Sequence, residues 1–153
     1  LALQSCGFAL RSNQNFAFET VAVMPEKGKG VTAELARYLG ARVRPLVPES
    51  GGRAPDAVID ILQDAREKTV VGVNASGQVR ELQLRLRVRF RLRTPAGAEL
   101  IAPTEVLLQR DISFNETAVL AKDAEEGLLY RDMQTDVVQQ LVRRLAAVKT
   151  LAP

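Results

Sequence analysis

The sequence predicts an α+β fold in two layers, a four-stranded, mostly antiparallel but mixed sheet with two main helices packed on one face. Three observations carry that prediction. From Leu82 to Arg93 the alternation is unbroken, with Leu82, Leu84, Leu86, Val88, Phe90 and Leu92 on one parity and Gln83, Arg85, Arg87, Arg89, Arg91 and Arg93 on the other. This is the period of a pleated strand with one apolar face. Two turn-forming runs, Asn74-Ala75-Ser76-Gly77 and Thr94-Pro95-Ala96-Gly97, flank that strand and join it to its neighbours as a meander. Beyond residue 116 the residues Leu120, Ala124, Leu128, Met133, Val137, Leu141 and Leu145 recur three to five positions apart, so a long amphipathic helix is available to cover the apolar face.

In chain order, residues 1–6, Leu-Ala-Leu-Gln-Ser-Cys, are apolar and then small before a cysteine. They read either as the remnant of a lipoprotein signal with the lipobox Leu3-Gln4-Ser5-Cys6 or as a segment ending in a free thiol. A single domain then spans residues 7–150. Phe16 to Met24 is the first strand, and Pro25-Glu26-Lys27-Gly28-Lys29-Gly30 ends it. Val31, Leu35, Tyr38 and Leu39 follow at helical spacing up to Gly40. The glycines around Lys29 lack the GxxxxGK[ST] spacing of a phosphate loop and read as a turn. Arg44 to Pro55, with three prolines and Gly51-Gly52, is a loop.

Ala57 to Val73 is the second strand, with Ile59, Ile61, Ala65, Val71 and Val73 on one parity and Asp60, Asp64, Arg66 and Lys68 on the other. The arginine strand is the third. Glu99 to Ile112 is the fourth, and Pro103 marks it as an edge strand or a bulged one. Glu116 to Val148 is the covering helix, with a kink expected at Gly127. The strand order expected is 1-2-3-4, the first lying parallel to the second through a right-handed crossover.

Composition excludes most catalytic chemistry. The chain has 153 residues, 46% hydrophobic, with no His and one Cys. That leaves no Ser-His-Asp or Cys-His arrangement, no His-based zinc site, and no intramolecular disulfide. The acids are scattered or lie on helix faces, so an enzyme is not expected, nor a metal or cofactor. No apolar run approaches the length of a spanning helix.

The charge is local. Residues 80–93 hold six Arg and one Glu, or +5 against a chain total of +3, so the remainder sums to −2. Arg85, Arg87, Arg89, Arg91 and Arg93 stand about 6.6 Å apart along the strand. Either acidic neighbours on adjacent strands screen them or the face meets an anionic ligand or partner. A nucleic-acid-binding module using strand 80–93 is one such reading, although no aromatic residue shares the polar parity to stack on bases.

Leu120-Ala121-Lys122-Asp123-Ala124-Glu125-Glu126, followed by Leu128-Leu129-Tyr130-Arg131-Asp132-Met133 and Gln139-Gln140-Leu141-Val142-Arg143-Arg144-Leu145, resembles the carboxy-terminal helix of the LPS-assembly lipoprotein family, LptE. Cys6-Gly7-Phe8-Ala9-Leu10-Arg11 is similar to that family's lipidated start. The order strand, helix, three-strand meander, long helix agrees along nearly the whole chain. The resemblance implies a non-enzymatic lipoprotein of the outer membrane, held at its periplasmic face through acylated Cys6. It implies a plug in the lumen of the LptD β-barrel that helps lipopolysaccharide reach the cell surface.

By the same resemblance Lys122 contacts the lipopolysaccharide head group. Family members place a basic residue at the turn before the third strand. Here Asn74-Ala75-Ser76-Gly77 is uncharged, and Arg80, just after it, is the substitute. Arg85, Arg87, Arg89, Arg91 and Arg93 then face the barrel or the ligand, and nucleic acid is not a partner.

Overall fold

The alternating stretch forms β3 (Val79–Arg93), flanked by β2 (Ala57–Val73) and β4 (Glu99–Ser113) in antiparallel pairing. The short β1 (Val21–Met24) lies parallel to β2, giving the order β1-β2-β3-β4. The computed structural model describes residues 14–152; Cys6, the lipobox and residues 7–13 lie outside them. α1 (Gly30–Leu39) and the long α2 (Val119–Ala147) complete the elements.

The apolar parity of β3 is the floor of the core. Leu84, Leu86, Val88, Phe90 and Leu92 are buried, packed in one cluster with Val31 and Leu35 of α1 and Met133, Val137, Leu141 and Leu145 of α2. Each such side chain contributes about 1.5–3 kcal/mol by leaving water. Both helices therefore lie on the face the sequence indicated, but the covering stripe of α2 begins at Tyr130: Leu120, Ala124 and Leu128, expected on it, are exposed, because the first turns of α2 extend past the buried cluster. The hairpin turns also form as expected. Asn74 Oδ1 accepts from the backbone N–H groups of Ser76 and Gln78 at 3.0 and 2.9 Å. Gly77 takes φ +79°, a conformation that L side chains rarely adopt.

Three expectations are corrected. The first strand is shorter than Phe16–Met24, because the Asp56 carboxylate takes the N–H groups of Glu19 and Thr20 at 2.9 and 3.1 Å. These donors are thereby withdrawn from a ladder, and Phe16 stacks on buried Phe18 instead, with ring centroids 4.9 Å apart. The covering helix starts at Val119 after a 3-10 turn at Glu116–Ala118, whose Thr117 N–H is capped by Asn115. It runs unbroken through Gly127 rather than in two halves.

The third correction concerns β2. Ile59 pairs with Leu92 and Ile61 with Phe90, but the register shifts between Ile61 and Gln63, so Gln63 pairs with Arg89 and Asp64 with Val88. Leu62 is the extra residue of a β-bulge, and one extra residue moves the side chains that follow it to the opposite face, here up to the next register shift at Val70. Asp64, Arg66 and Lys68 consequently stand on the helix side, while Ala65 and Glu67 join the arginines. Contacts agree: Arg66 lies 5.0 Å over the Tyr130 ring and Lys68 reaches Glu126 at 3.0 Å, both on α2.

The bulge also gives α1 its cap. Lys29, the residue before the helix, makes no side-chain cap. Asp64 Oδ2 accepts from Val31 N–H at 2.9 Å instead, satisfying one of the first-turn donors from across the interface. Glu34 then receives hydrogen bonds from Gln134 and Thr135 at 2.6 and 2.8 Å. Further along, Tyr38 shares a cavity with Val138 and Gln139, so the two helices point the same way. β4 carries Pro103 on the sheet edge with a register shift nearby, between the Phe90–Thr104 and Leu92–Ile101 pairs.

Candidate functional site

No element covers the sheet face opposite the helices among the described residues, and all five stripe arginines project from it. β2 and β4 bring acids to that face. Asp60 receives Arg91 Nε and Arg93 Nε, each at 2.7 Å, on the same Oδ2. Arg87 is held between Glu67 at 3.1 Å and Glu105 at 2.7 Å. Arg85 donates to Gln83 at 2.8 Å. Arg89 is exposed and has no hydrogen bond or ion pair among the described residues.

Of the two readings of the stripe, screening by acids on adjacent strands therefore holds for Arg87, Arg91 and Arg93. Three guanidinium groups carry carboxylate partners, because opposite charges directly or diagonally across a ladder attract and the repulsion along β3 is relieved. What remains is a polar, mixed-charge surface whose unanswered charge centres on Arg85 and Arg89. That weakens the electrostatic case for a nucleic-acid interface, which needs clustered excess charge. Sequence reasoning did not pick out Glu67 and Glu105. Glu105 was within reach of it, since folding the chain back about the Thr94–Gly97 turn in the Arg93–Glu99 register puts Glu105 opposite Arg87, its ion-pair partner; the register shift near Pro103 moves it opposite Arg89, diagonal to Arg87. Glu67 was hidden by the bulge.

Asp60 is the most constrained acid on this face, its side chain 13% exposed. Partial burial pushes its carboxyl up, but the hydrogen bonds and charges of Arg93 and Arg91 outweigh this and hold it below the ordinary value of 3.8. A depressed native pKa contributes stability that is fully present above the unfolded value and fades as pH falls through the native one. Asp60→Asn is expected to lower unfolding stability by about 1–2 kcal/mol at pH 7, since Arg91 and Arg93 are partly solvated and keep water. In urea melts the gap between the two proteins should close below about pH 4. A gap that persists unchanged at pH 3 would sink this assignment.

A second cluster forms where the β2–β3 hairpin, the end of β4 and the start of α2 meet. Lys122, the fourth residue of α2, has its Nζ 3.2 Å from Ser113 Oγ and 2.8 Å from Glu125. Phe114 N–H donates to the Arg80 carbonyl at 2.8 Å, and the Arg80 guanidinium bonds only Gln78, at 3.2 Å, among the described residues. Lys122 and Arg80, far apart in sequence, therefore occupy one end of the sheet. The stripe arginines run away from that end. Cys6 falls outside the described residues, and no group of His, Cys, Asp and Glu suited to a metal occurs among them.

The family profile described as "LptE: Lipopolysaccharide-assembly" matches residues 15–145. A protein of Photorhabdus laumondii named "LPS-assembly lipoprotein LptE" is 27% identical over 150 residues, covering 97% of this chain and 81% of that protein. Its namesake in Yersinia pestis is 27% identical over 151 residues, covering 97% and 72%. Among solved structures, lipoprotein B of Nitrosomonas europaea superposes with a TM-score of 0.72 at 37% identity, covering 92% of this chain and 91% of that one. The rare lipoprotein B of Shewanella oneidensis shares the fold, with a TM-score of 0.66 at 23% identity over 84% of this chain and 92% of that one.

Proposed function

Since this chain belongs to the LptE lipopolysaccharide-assembly family, we propose that it is an outer-membrane lipoprotein that sits in the lumen of the LptD β-barrel and binds lipopolysaccharide there. The observation that supports the ligand half is the placement of Lys122 and Arg80 at the same end of the sheet. Ammonium and guanidinium groups are strong donors to phosphate, Arg in bidentate geometry, and lipid A phosphates are the matching acceptors. Glu125, which holds Lys122 at 2.8 Å, is itself half exposed, so its hold on the ammonium is weak and exchangeable.

The barrel half is supported by the uncovered sheet face. A barrel lumen is polar, and a surface of paired charges centred on Asp60, Glu67 and Glu105 can meet it without burying apolar area. Acylation of Cys6 would hold the chain at the periplasmic face of the membrane. The named relatives are lipoproteins, and among the described residues no helix is long and apolar enough to cross a membrane. The role is binding and positioning, not catalysis.

Co-purification tests this reading. Solubilised in detergent from its own membranes and isolated by an affinity tag, the chain should bring down a large β-barrel protein at near-equal amount, identified as LptD by mass spectrometry. Recovery of the acylated chain without any barrel protein would overturn the plug.

A further inference from the structure

β1 pairs only with Ala57–Asp60 of β2, whereas β2 continues to Val73. From Ile61 onward, no strand among the described residues lies on that side of β2, so its outward N–H and C=O groups have no ladder partner, although the Glu67 carbonyl accepts from the Tyr130 hydroxyl at 2.7 Å. An open edge is a template for another strand. The Leu62 bulge and the charged run Asp64–Lys68 blunt its first half, and the rest is less protected. β2 has no proline beyond Ile61, unlike β4 with Pro103, and Val70, Val71 and Val73 on it are 47–60% exposed. α1 starts near Asp64 and runs away from the hairpin, alongside α2 from Glu34 onward. Upstream of that contact α2 has no helical neighbour among the described residues, and Leu120 is 86% exposed there.

Where β1 leaves the sheet, a cleft of about 540 Å³ opens between β2 and the start of α1, bordered by Lys29, Ile61, Leu62, Asp64 and Arg66. Its charge is unbalanced. Asp64 is committed to the Val31 N–H, while Lys29 has no acidic partner among the described residues and Arg66 touches only the Tyr130 ring and, at 3.5 Å, Gln134. A slot with backbone polar groups that lack a ladder partner along its floor and two cations without a carboxylate partner at its mouth fits a peptide strand with acidic side chains. A lipid chain cannot satisfy the backbone groups, and a second copy's own segment 62–73, with two acids and two bases, brings no net negative charge to the cleft.

We infer that the β2 edge from Leu62 to Val73 accepts an extended, acidic segment of a partner protein as an added strand in line with β1. Strand addition draws affinity from main-chain hydrogen bonds and specificity from alternate side chains. The inference stands apart from the lipopolysaccharide reading, which uses Lys122 and Arg80.

Amide hydrogen exchange on the whole chain tests it, with an acetylated ten-residue peptide alternating Glu and Thr as the probe. Exchange at alternate amides between residues 62 and 73 should slow by about tenfold or more when the peptide is saturating. A peptide with Lys in place of Glu should leave them unprotected. Arg66→Glu, or Lys29→Glu if the first variant unfolds, should reverse that preference. No protection by the acidic peptide, or equal protection by both peptides, overturns the proposal. So does protection that appears without peptide and grows with chain concentration, which marks a second copy. Protection of the same amides by lipopolysaccharide micelles alone would assign the edge to lipid and overturn it as well.

Discussion

Cys6→Ala is expected to release the chain from the membrane fraction altogether when it is produced without the barrel partner. Acyl chains contribute about 0.8 kcal/mol per buried methylene, and two or more chains hold a protein stably on a bilayer where one does so only marginally. Removing the thiol removes every chain at once. No helix among the described residues is able to replace that anchor by spanning the membrane. The fold should be kept, since among the described residues the buried cluster from Phe18 to Leu145 is continuous. Fractionation by sedimentation is the measurement, with thermal melting as the control. A variant that still pellets with membranes would show that something other than acylated Cys6 attaches the chain.

Lys122→Asp should weaken lipopolysaccharide binding by about ten- to a hundredfold, the loss of a charge-assisted hydrogen bond worth about 1.5–3 kcal/mol. Stability should change far less. The pair Lys122 gives up, to Glu125, is partly solvated and worth little. Lys122 lies in the first turn of α2, where the helix dipole favours a negative charge. Titration of purified chain with lipopolysaccharide, beside a thermal melt, separates the two roles. If the melting temperature falls while affinity for the folded fraction holds, Lys122 is a structural residue tying α2 to Ser113. Lys122→Arg should retain binding, because the phosphate contact needs a donor cation and not a particular stem.

The open face and the β2 edge show how far residue patterns reach. Local periodicity placed β3, both helices and the two hairpin turns, because alternation and helical spacing are properties of a single segment. It also led to the right strand order, since short turns leave a meander few alternatives. The same reasoning assigned the wrong face to Asp64, Arg66 and Lys68. Their apparent alternation is genuine on each side of Leu62, but nothing in the residues between Ile61 and Gln63 announces a bulge. Its consequence is visible only in three dimensions, where Asp64 caps Val31 and Arg66 lies over Tyr130.

By itself, then, the sequence determined the two-layer architecture, the apolar floor under α2, and the family resemblance carried by residues 120–145. It also located the surplus charge on β3. Only the tertiary structure decided that Asp60, Glu67 and Glu105 neutralise Arg91, Arg93 and Arg87, that Lys122 and Arg80 share one end of the sheet, and that β2 outruns β1. The reason is physical. A period is written in consecutive residues, whereas a cross-strand partner depends on register, and one inserted residue inverts register for the residues that follow it.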